Sequence, residues 1–273
     1  MKIARLIDTA GQIHYGSPSA AGQARRLAGS LYEGLTETSE TLTVARWLAP
    51  VLPVNIYGIG LNYRAHAIET GAALPESPVL FMKPTTTIAN PGDAIALPLA
   101  CEHGPEVDYE AELAVLIGRT ARDVPVAHAL DYILGYTCAN DVSARRWQKQ
   151  GGAGQWIRGK SFDGFSPLGP WLVTADEIQN PQDLEVTCTL NGERVQTGNT
   201  SDMIFSVAEV IAFLSRDTTL LPGTLILTGT PPGVGMARNP PRYLSDGDQV
   251  VVEIAGIGAL ANPVRQTLPS ATS

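Results

Sequence analysis

Short segments in which apolar and polar residues alternate are the main pattern of this chain. Successive side chains of a strand point to opposite faces of a sheet, so such alternation predicts strands. Glycine and proline separate the segments, and only residues 207–215 have the apolar spacing of a convincing helix. The pattern predicts a β-rich α+β fold. The predicted strands include residues 2–7, 12–15, 79–82, 94–98, 107–117, 132–139, 168–173, 184–190, 225–228 and 249–254.

The positions of glycine and proline also predict the domain organisation. Residues 1–52 are predicted to form a small N-terminal β domain, in which residues 12–15 pair with residues 2–7 and residues 21–32 hold a short helix. An apolar strand that starts near residue 51 and runs into a glycine-rich turn opens the main domain, residues 53–268. Residues 269–273 are predicted to be a tail.

Composition narrows the class of protein. The 273 residues are 44% hydrophobic and 17% charged, which is typical of a well-packed globular protein. A net charge of -8 and a pI near 5.0 argue against nucleic acid and anionic membranes as partners. The three cysteines are scattered, and no apolar run approaches the roughly 20 residues of a membrane span. These features predict a cytoplasmic protein without disulfides.

Two glycine motifs resemble nucleotide-binding signatures. Residues 154–161 match the P-loop pattern, but the sequence predicts neither an apolar strand before them nor a helix after them. Residues 58–63 fail the dinucleotide fingerprint, because Tyr63 stands where the third glycine is needed. We therefore predict no nucleotide site and interpret Gly58 and Gly60 as turn residues.

Two glutamates lie within an otherwise apolar predicted strand. Strand alternation places Glu110 and Glu112 on one face, and that face continues as apolar at Ala114. A solvent-facing polar stripe would stay polar, whereas a cation between the carboxylates would relieve their repulsion. Asp141 follows another predicted strand, where an aspartate can also be a helix cap. Together these three residues would offer only oxygen ligands, which suits Mg²⁺ or Mn²⁺ better than zinc.

Four further residues have two open interpretations each. His66 and Glu69 are three residues apart, hence on one helical face, and form either a general base oriented by a carboxylate or a surface ion pair. Lys160 lies in a glycine-flanked segment and is either a ligand-binding lysine or a solvated one. Thr230 belongs to a rigid turn, which either binds a carboxylate or is only a turn.

In combination, these motifs resemble the fumarylacetoacetate hydrolase family over about residues 55–264. The order and spacing of the motifs make the resemblance specific. They are Gly60-Leu61-Asn62-Tyr63 with His66 and Glu69, Asp108-Tyr109-Glu110-Ala111-Glu112-Leu113, Asn140-Asp141-Val142-Ser143-Ala144-Arg145, Gly159-Lys160-Ser161-Phe162-Asp163, Asn199-Thr200-Ser201-Asp202-Met203 and Thr228-Gly229-Thr230-Pro231.

The resemblance implies a mixed β-sandwich roll, a homodimer and a small keto-acid substrate. It implies that Mg²⁺ or Mn²⁺ is held by three carboxylates, and that a histidine and a glutamate activate water on a segment that orders when substrate binds. The implied metal ligands are Glu110, Glu112 and Asp141; the implied catalytic residues are His66, Glu69 and Lys160; and the implied substrate-binding residues are Arg145, Gln148, Lys160 and Thr230.

The implied activity is hydrolysis of a carbon–carbon bond in 2,4-dioxo acids, such as acylpyruvates, through a metal-bound enolate. Residues around Trp147, Trp156 and Pro240 are also similar to the branch called fumarylacetoacetate hydrolase domain-containing protein two, whose members are associated with oxaloacetate tautomerisation. Oxaloacetate tautomerase or decarboxylase is therefore an alternative, and a non-catalytic keto-acid-binding homodimer is another. One residue departs from the family: Arg146 stands where an acidic residue is common.

Overall fold

The structure, a computed structural model, describes residues 1–267, which contain eighteen strands and three α-helices. This composition confirms the predicted β-rich α+β fold. The strands are β1 (Lys2–Asp8), β2 (Ile13–Pro18), β3 (Gln23–Ser30), β4 (Gly34–Leu48), β5 (Asn55–Gly60), β6 (Val79–Lys83), β7 (Ile88–Ala89), β8 (Ile95–Leu97), β9 (Val107–Asp108), β10 (Ala111–Ile117), β11 (Ile133–Asn140), β12 (Ser143–Ala144), β13 (Ser166–Thr174), β14 (Glu185–Leu190), β15 (Glu193–Asn199), β16 (Thr224–Leu227), β17 (Gln249–Ile254) and β18 (Gly258–Gln266). The helices are α1 (Arg64–Glu69), α2 (Arg145–Lys149) and α3 (Val207–Ser215).

Two mixed sheets form the main body. The larger sheet has the order β2-β3-β4-β1-β13-β11-β10-β16-β5-β6, and the second has the order β15-β14-β17-β18-β8. Both contain antiparallel pairs and one or more parallel pairs, such as β16 with β5 and β18 with β8. Apolar side chains of the two sheets share one buried cluster, in which Leu113 of β10 lies with Val186 of β14 and Val252 of β17. The sheets therefore pack face to face, as in a sandwich.

The N-terminal strands are joined to the larger sheet through β1. Lys2 and Ile3 pair with β13, while residues 4–8 of the same strand pair with β2 and β4. The predicted pairing of residues 2–7 with residues 12–15 is thus confirmed. The division of the chain at residue 52 stays a prediction, and the predicted tail, residues 269–273, lies outside the described residues.

The predicted helix at residues 21–32 is wrong, because this segment contains β3. Ala24 and Leu27 are both buried although they are three residues apart. The pairing of β3 with β4 shifts register between Arg25 and Leu27, and such a bulge returns two residues three apart to one face. Pairing with β2 and β4 overrides the local preference.

Strand β10 contains the alternating side chains from which Glu110 and Glu112 were predicted to share one face. All seven of its residues are buried. Leu113 and Val115 belong to the core between the sheets, whereas Ala114 and Leu116 belong to a second cluster behind it. The strand is therefore covered by apolar side chains on both faces, and its acidic end opens into the site described below.

The two glycine motifs have no nucleotide-binding architecture. Residues 157–160 form a 3₁₀ turn, and the next element is the strand β13. The interpretation of Gly58 and Gly60 as turn residues is wrong, because both lie in β5. A Cβ on Gly60 would lie 2.1 Å from the ring of Trp156, so the missing side chain makes room for that indole.

No α-helix among residues 1–267 combines the length and the apolar character that crossing a membrane would require.

Candidate functional site

Three buried carboxylates meet at one end of the β10–β11 pair. Glu110 immediately precedes β10 and Asp141 immediately follows β11, and the antiparallel register pairs Glu112 with Ala139. The backbone N–H of Asp141 donates to the carbonyl of Glu110 at 2.9 Å. One carboxylate oxygen from each of the three residues lies within 4.8 Å of the others. Strand pairing thus brings together the three predicted metal ligands, which we call the acidic triad.

Three buried cations balance the acidic triad. Lys160 Nζ lies 2.7 Å from Oε2 of Glu110 and 2.6 Å from Oδ2 of Asp141. Arg145 Nη1 lies 2.6 Å from Oε1 of Glu110. Lys83 Nζ donates to Oδ1 of Asp141 and, at 2.7 Å, to the carbonyl of Phe165. Glu110 and Asp141 therefore have cationic partners, without which their burial would be costly, whereas among the described residues no cation lies within 4.0 Å of Glu112.

Lys83 belongs to none of the sequence motifs described above. The residue ends β6, in which Phe81 and Lys83 are buried while Leu80 and Met82 are exposed. A lysine on the buried face of an alternating strand was the available signal, since a lysine is rarely buried without a partner. Its partner, Asp141, is 58 residues away in the chain.

The pKa values of the two glutamates move in opposite directions. Burial alone would raise the pKa of Glu110, but the charges of Lys160 and Arg145 outweigh burial and hold that pKa below its ordinary value. Burial, and then the charges of Asp141 and Glu110, raise the pKa of Glu112 well above its ordinary value of 4.5. Without a further cation, Glu112 is therefore the carboxylate that resists ionisation.

The donor set fits a hard divalent cation. The acidic triad offers oxygen atoms only, which is the set that Mg²⁺ and Mn²⁺ prefer. The backbone N–H of Gly229 donates to Oε2 of Glu112 at 2.8 Å and orients this carboxylate. Gly229 has φ +101°, and a Cβ there would lie 2.7 Å from the Cβ of Asn62, so this close approach requires glycine.

Asp108 is a fourth buried carboxylate, but its oxygens are already used. It accepts from Arg145 Nε at 2.8 Å and from the backbone N–H groups of Gly235 at 2.8 Å and Met236 at 3.0 Å. It therefore holds Arg145 and the loop at residues 235–236. Asp108, Glu110, Glu112 and Asp141 face three cations, so the set carries one net negative charge when all are ionised.

His66 and Glu69 lie on the short helix α1 and form a close pair. His66 Nδ1 lies 2.7 Å from Oε1 of Glu69, whose Oε2 accepts from the backbone N–H of Gly233 at 2.8 Å. Oδ2 of Asp202, from one of the quoted motifs, accepts from the N–H of Ala65 at 2.9 Å and holds the start of the helix. His66 is buried and lines the same cavity as the acidic triad. Because Nδ1 is engaged, Nε2 is the ring nitrogen available to a ligand.

The predicted substrate-binding residues also line this cavity. Arg145 Nη1 donates to Oε1 of Gln148 at 3.0 Å, which leaves the amide N–H groups of Gln148 available. The hydroxyl of Thr230 donates to the carbonyl of Ala111 at 2.9 Å and accepts from Gln196 Nε2 at 2.8 Å. Its proton is therefore already used, and Gln196, which the sequence analysis missed, fixes its position.

The cavity itself is small and has one apolar side. Its volume is about 220 Å³, below the roughly 300–1,000 Å³ of pockets for larger organic ligands. Phe81 and Trp156, whose ring centroids are 5.9 Å apart, form the apolar side. The acidic triad, the His66–Glu69 pair and Lys160 form the polar side. Such a cavity is suited to a small acid with a short carbon chain.

Arg146 stands where the family commonly has an acidic residue. Its side chain contacts residues outside the acidic triad. Its Nε lies 3.3 Å from Oε2 of Glu106, and its Nη2 donates to the carbonyl of Ala100 at 3.3 Å. The Arg146 side chain therefore joins α2 to the preceding loop, and the three cations that contact the acidic triad do not include it.

The strand-rich sandwich, with an acidic oxygen-ligand cluster that could hold a metal beside a histidine–carboxylate pair, is the arrangement of an enzyme of the fumarylacetoacetate hydrolase type. The profile described as "Fumarylacetoacetate (FAA) hydrolase C-terminal" matches residues 55–265. The chain belongs to the fumarylacetoacetate hydrolase family, as the sequence motifs predicted.

Curated relatives and solved structures agree with this assignment. The chain is 46% identical over 218 residues to "Oxaloacetate tautomerase fahd2, mitochondrial" of Xenopus laevis, a match that covers 80% of this chain and 67% of the relative. It is 45% identical over 219 residues to "Oxaloacetate tautomerase Fahd2a, mitochondrial" of Rattus norvegicus, with 80% and 69% covered. The crystal structure of 2-hydroxyhepta-2,4-diene-1,7-dioate isomerase from Mycobacterium marinum has a TM-score of 0.83 and 39% identity, with 98% of this chain and 100% of that chain covered. Fumarylacetoacetate hydrolase from psychrophilic Exiguobacterium antarcticum has the same TM-score and coverage at 37% identity.

Proposed function

We propose that this protein is a divalent-metal-dependent tautomerase that interconverts the keto and enol forms of oxaloacetate or a closely similar 2-keto acid. One observation carries the proposal: a histidine oriented by a carboxylate shares a small cavity with the acidic triad. Two relatives near 45% identity are named oxaloacetate tautomerases, which supports this choice of substrate. Mg²⁺ is the proposed ion, with Mn²⁺ as the alternative.

The charges around the site favour an anionic substrate. With every member ionised, the buried set has one net negative charge, which a divalent ion held by Glu110, Glu112 and Asp141 would change to one net positive charge. Such an ion, when bound, would act as a Lewis acid that makes the protons next to the keto group more acidic. The local field would then attract a carboxylate although the whole chain is acidic.

The proposed roles of the side chains follow from their contacts. His66, held by Glu69, would take a proton from C3 of the keto form through Nε2, and the same nitrogen would return a proton to the C2 oxygen. The C3–H bond breaks and an O–H bond forms, so the reaction needs no water or other reactant. Lys160 would stabilise the negative charge that develops on the C2 oxygen. Arg145 and Gln148 would orient the carboxylate of the substrate.

Hydrolysis of a carbon–carbon bond in a 2,4-dioxo acid is the second candidate. The apolar wall of Phe81 and Trp156 favours it, because an acylpyruvate carries an apolar acyl group that oxaloacetate lacks. In this reaction His66 would take a proton from water, which attacks the distal carbonyl. The same residues thus serve both reactions, and only the substrate decides whether water takes part.

One preparation, tested with Mg²⁺ and with Mn²⁺, separates the candidate functions. We expect rapid conversion of enol-oxaloacetate to its keto form, slower cleavage of acetylpyruvate and little release of pyruvate from oxaloacetate. A Glu112→Gln variant, which loses one carboxylate of the triad, should lose tautomerase activity. Faster acetylpyruvate cleavage would favour the hydrolase, and rapid pyruvate release would favour a decarboxylase. Binding of metal and oxalate without turnover of any substrate would favour a non-catalytic keto-acid-binding protein.

Two further properties are proposed with the function. We propose that the protein is a homodimer, as the family resemblance implies, and light scattering on the purified protein tests this. We also propose a cytoplasmic location, which fractionation of the source cells tests.

A further inference from the structure

A second cleft adjoins the cavity of the acidic triad. Its volume is about 630 Å³. Four residues line both spaces: Thr70, Arg145, Lys149 and Met236. The two spaces are therefore adjacent, and the cleft is a candidate location for the far end of a ligand anchored at the acidic triad.

Lys149 is the free cation at this junction. The chain has four lysines, of which Lys83 and Lys160 are buried in ion pairs with the acidic triad. Lys149 is exposed at the end of α2, and among residues 1–267 no carboxylate lies within 4.0 Å of its ammonium group. Its charge is therefore available to an incoming anion.

Two carboxylates, Glu69 and Glu106, line the cleft, and each lies next to another group of the chain. Glu69 is engaged by His66 and by the backbone of Gly233. Glu106 lies 3.3 Å from Nε of Arg146. Neither carboxylate lies within 4.0 Å of the Lys149 ammonium group, although both oxygens of Glu106 have no hydrogen-bond partner among residues 1–267, so Lys149 gives the cleft a positive side next to the cavity.

Arg145 is a second cation that lines both spaces. The side chain is 5% exposed, and within the described part of the chain its Nη2 has no hydrogen-bond partner. A buried guanidinium N–H without an acceptor costs free energy, which an acceptor from a ligand or from water would recover. This unsatisfied donor belongs to a residue that lines both the cavity and the cleft.

We propose that the second cleft is a subsite for the carboxylate at the far end of a dicarboxylic keto acid, and that Lys149 recognises this carboxylate. The inference rests on the proposed function for the near end of the substrate, where the keto acid meets the acidic triad. It adds a determinant of substrate class: Lys149 selects dianionic keto acids over acylpyruvates that end in an uncharged group.

Pairs of 2-oxo acids of equal chain length test the proposal directly. In each pair one acid ends in a methyl group and the other in a carboxylate: 2-oxobutyrate with oxaloacetate, 2-oxovalerate with 2-oxoglutarate, and 2-oxohexanoate with 2-oxoadipate. Binding to the Mn²⁺-loaded protein is measured by calorimetry or by competition with oxalate. For at least one chain length, we expect the wild-type protein to bind the dicarboxylate about five- to tenfold more tightly, as an ion pair in a partly screened cleft would produce.

Three variants separate recognition by Lys149 from a general effect of charge. Lys149→Met should abolish the preference, because it weakens dicarboxylate binding far more than monocarboxylate binding, and Lys149→Arg should retain most of the preference. Lys2→Met, which removes the other exposed lysine, should behave as the wild type. Equal binding of both acids at every chain length, or an unchanged preference in Lys149→Met, would overturn the proposal. Absence of tautomerase activity would instead contradict the proposed function, because these binding measurements need no turnover.

Discussion

Lys160 Nζ lies 2.6 Å from Oδ2 of Asp141, and both residues are buried. The same ammonium group is 2.7 Å from Glu110, so Lys160 bridges two of the three carboxylates of the acidic triad. Burial alone would lower the pKa of Lys160, but the charges of Asp141 and Glu110 outweigh burial and raise it. Lys160 is therefore a protonated cation, available to stabilise negative charge on a substrate.

Replacing Lys160 by methionine should separate catalysis from metal binding. The substitution conserves the approximate shape of the side chain and removes its charge, so we expect kcat to fall about 10²- to 10³-fold, as is typical when a charge-stabilising group is lost. Mn²⁺ affinity should be unchanged or higher, because Glu110 and Asp141 lose a competing cation. Calorimetry with Mn²⁺ and initial rates with oxaloacetate measure the two effects. A fall in Mn²⁺ affinity in step with kcat would show that Lys160 mainly maintains the geometry of the acidic triad.

The Glu69→Gln variant tests the orientation of His66. Glutamine can still accept a hydrogen bond from Gly233, but it lacks the charge that stabilises a protonated imidazole. We expect kcat to fall about 10²-fold with little change in KM. The chain offers a matched control in the exposed pair of His128 and Asp131, which has the same spacing of three residues. Asp131→Asn should leave both constants unchanged, and full activity in Glu69→Gln would exclude the proposed pair.

Strand alternation made much of the fold and the acidic triad predictable. Glu110 and Glu112 could be placed on one face because the spacing of side chains in a strand is fixed. Asp141 could be added because it follows another predicted strand and supplies a third carboxylate, and the family resemblance then named the metal. The segment of β3 was predicted to be a helix, because the pairing of β3 with β4 and the bulge within it depend on contacts that the local sequence does not show.

Residues that act through distant partners could not be predicted in the same way. Lys83 contacts Asp141 across 58 residues, and Gln196 holds Thr230 across 34 residues. Neither residue lies in a quoted motif, and only the packing of the strands brings each to its partner. Local sequence patterns thus identified residues whose side-chain chemistry indicates a function. They missed residues whose function depends on the partner that the fold brings next to them.

Metal affinity should depend on pH through Glu112. Burial, then Asp141 and Glu110, raise its pKa above 4.5, so the metal-free folded protein retains a proton that an unfolded chain would release. A metal ion must displace this proton, and Mn²⁺ affinity should therefore fall as the pH is lowered through the raised pKa, by up to about tenfold per pH unit. Conversely, the metal-free protein should gain stability from Glu112 as the pH falls from the raised pKa towards 4.5. This sign is opposite to that of a salt-bridged carboxylate.

Calorimetry in two buffers with different ionisation enthalpies measures the proton released for each Mn²⁺ bound. We expect close to one proton on the acid side of the raised pKa and none well above it. The Glu112→Gln variant should bind more weakly and release no proton from this position. Binding of Mn²⁺ to the wild-type protein that is independent of pH and releases no proton would contradict the assignment of Glu112 as a ligand.

Reversing the charge of Arg146 tests its structural role. Glu106 is buried, and Arg146 Nε is its nearby cation at 3.3 Å. Arg146→Glu would place two carboxylates together in a partly desolvated position, and we expect the free energy of unfolding to fall by about 1–3 kcal/mol. The double variant Glu106→Arg with Arg146→Glu restores opposite charges and should recover part of this loss. Denaturant unfolding of the wild type, both single variants and the double variant gives the coupling energy of the pair. If the effects of the two single variants are additive, Arg146 and Glu106 do not interact. The contribution of Arg146 to the free energy of unfolding would then come from its contact with Ala100.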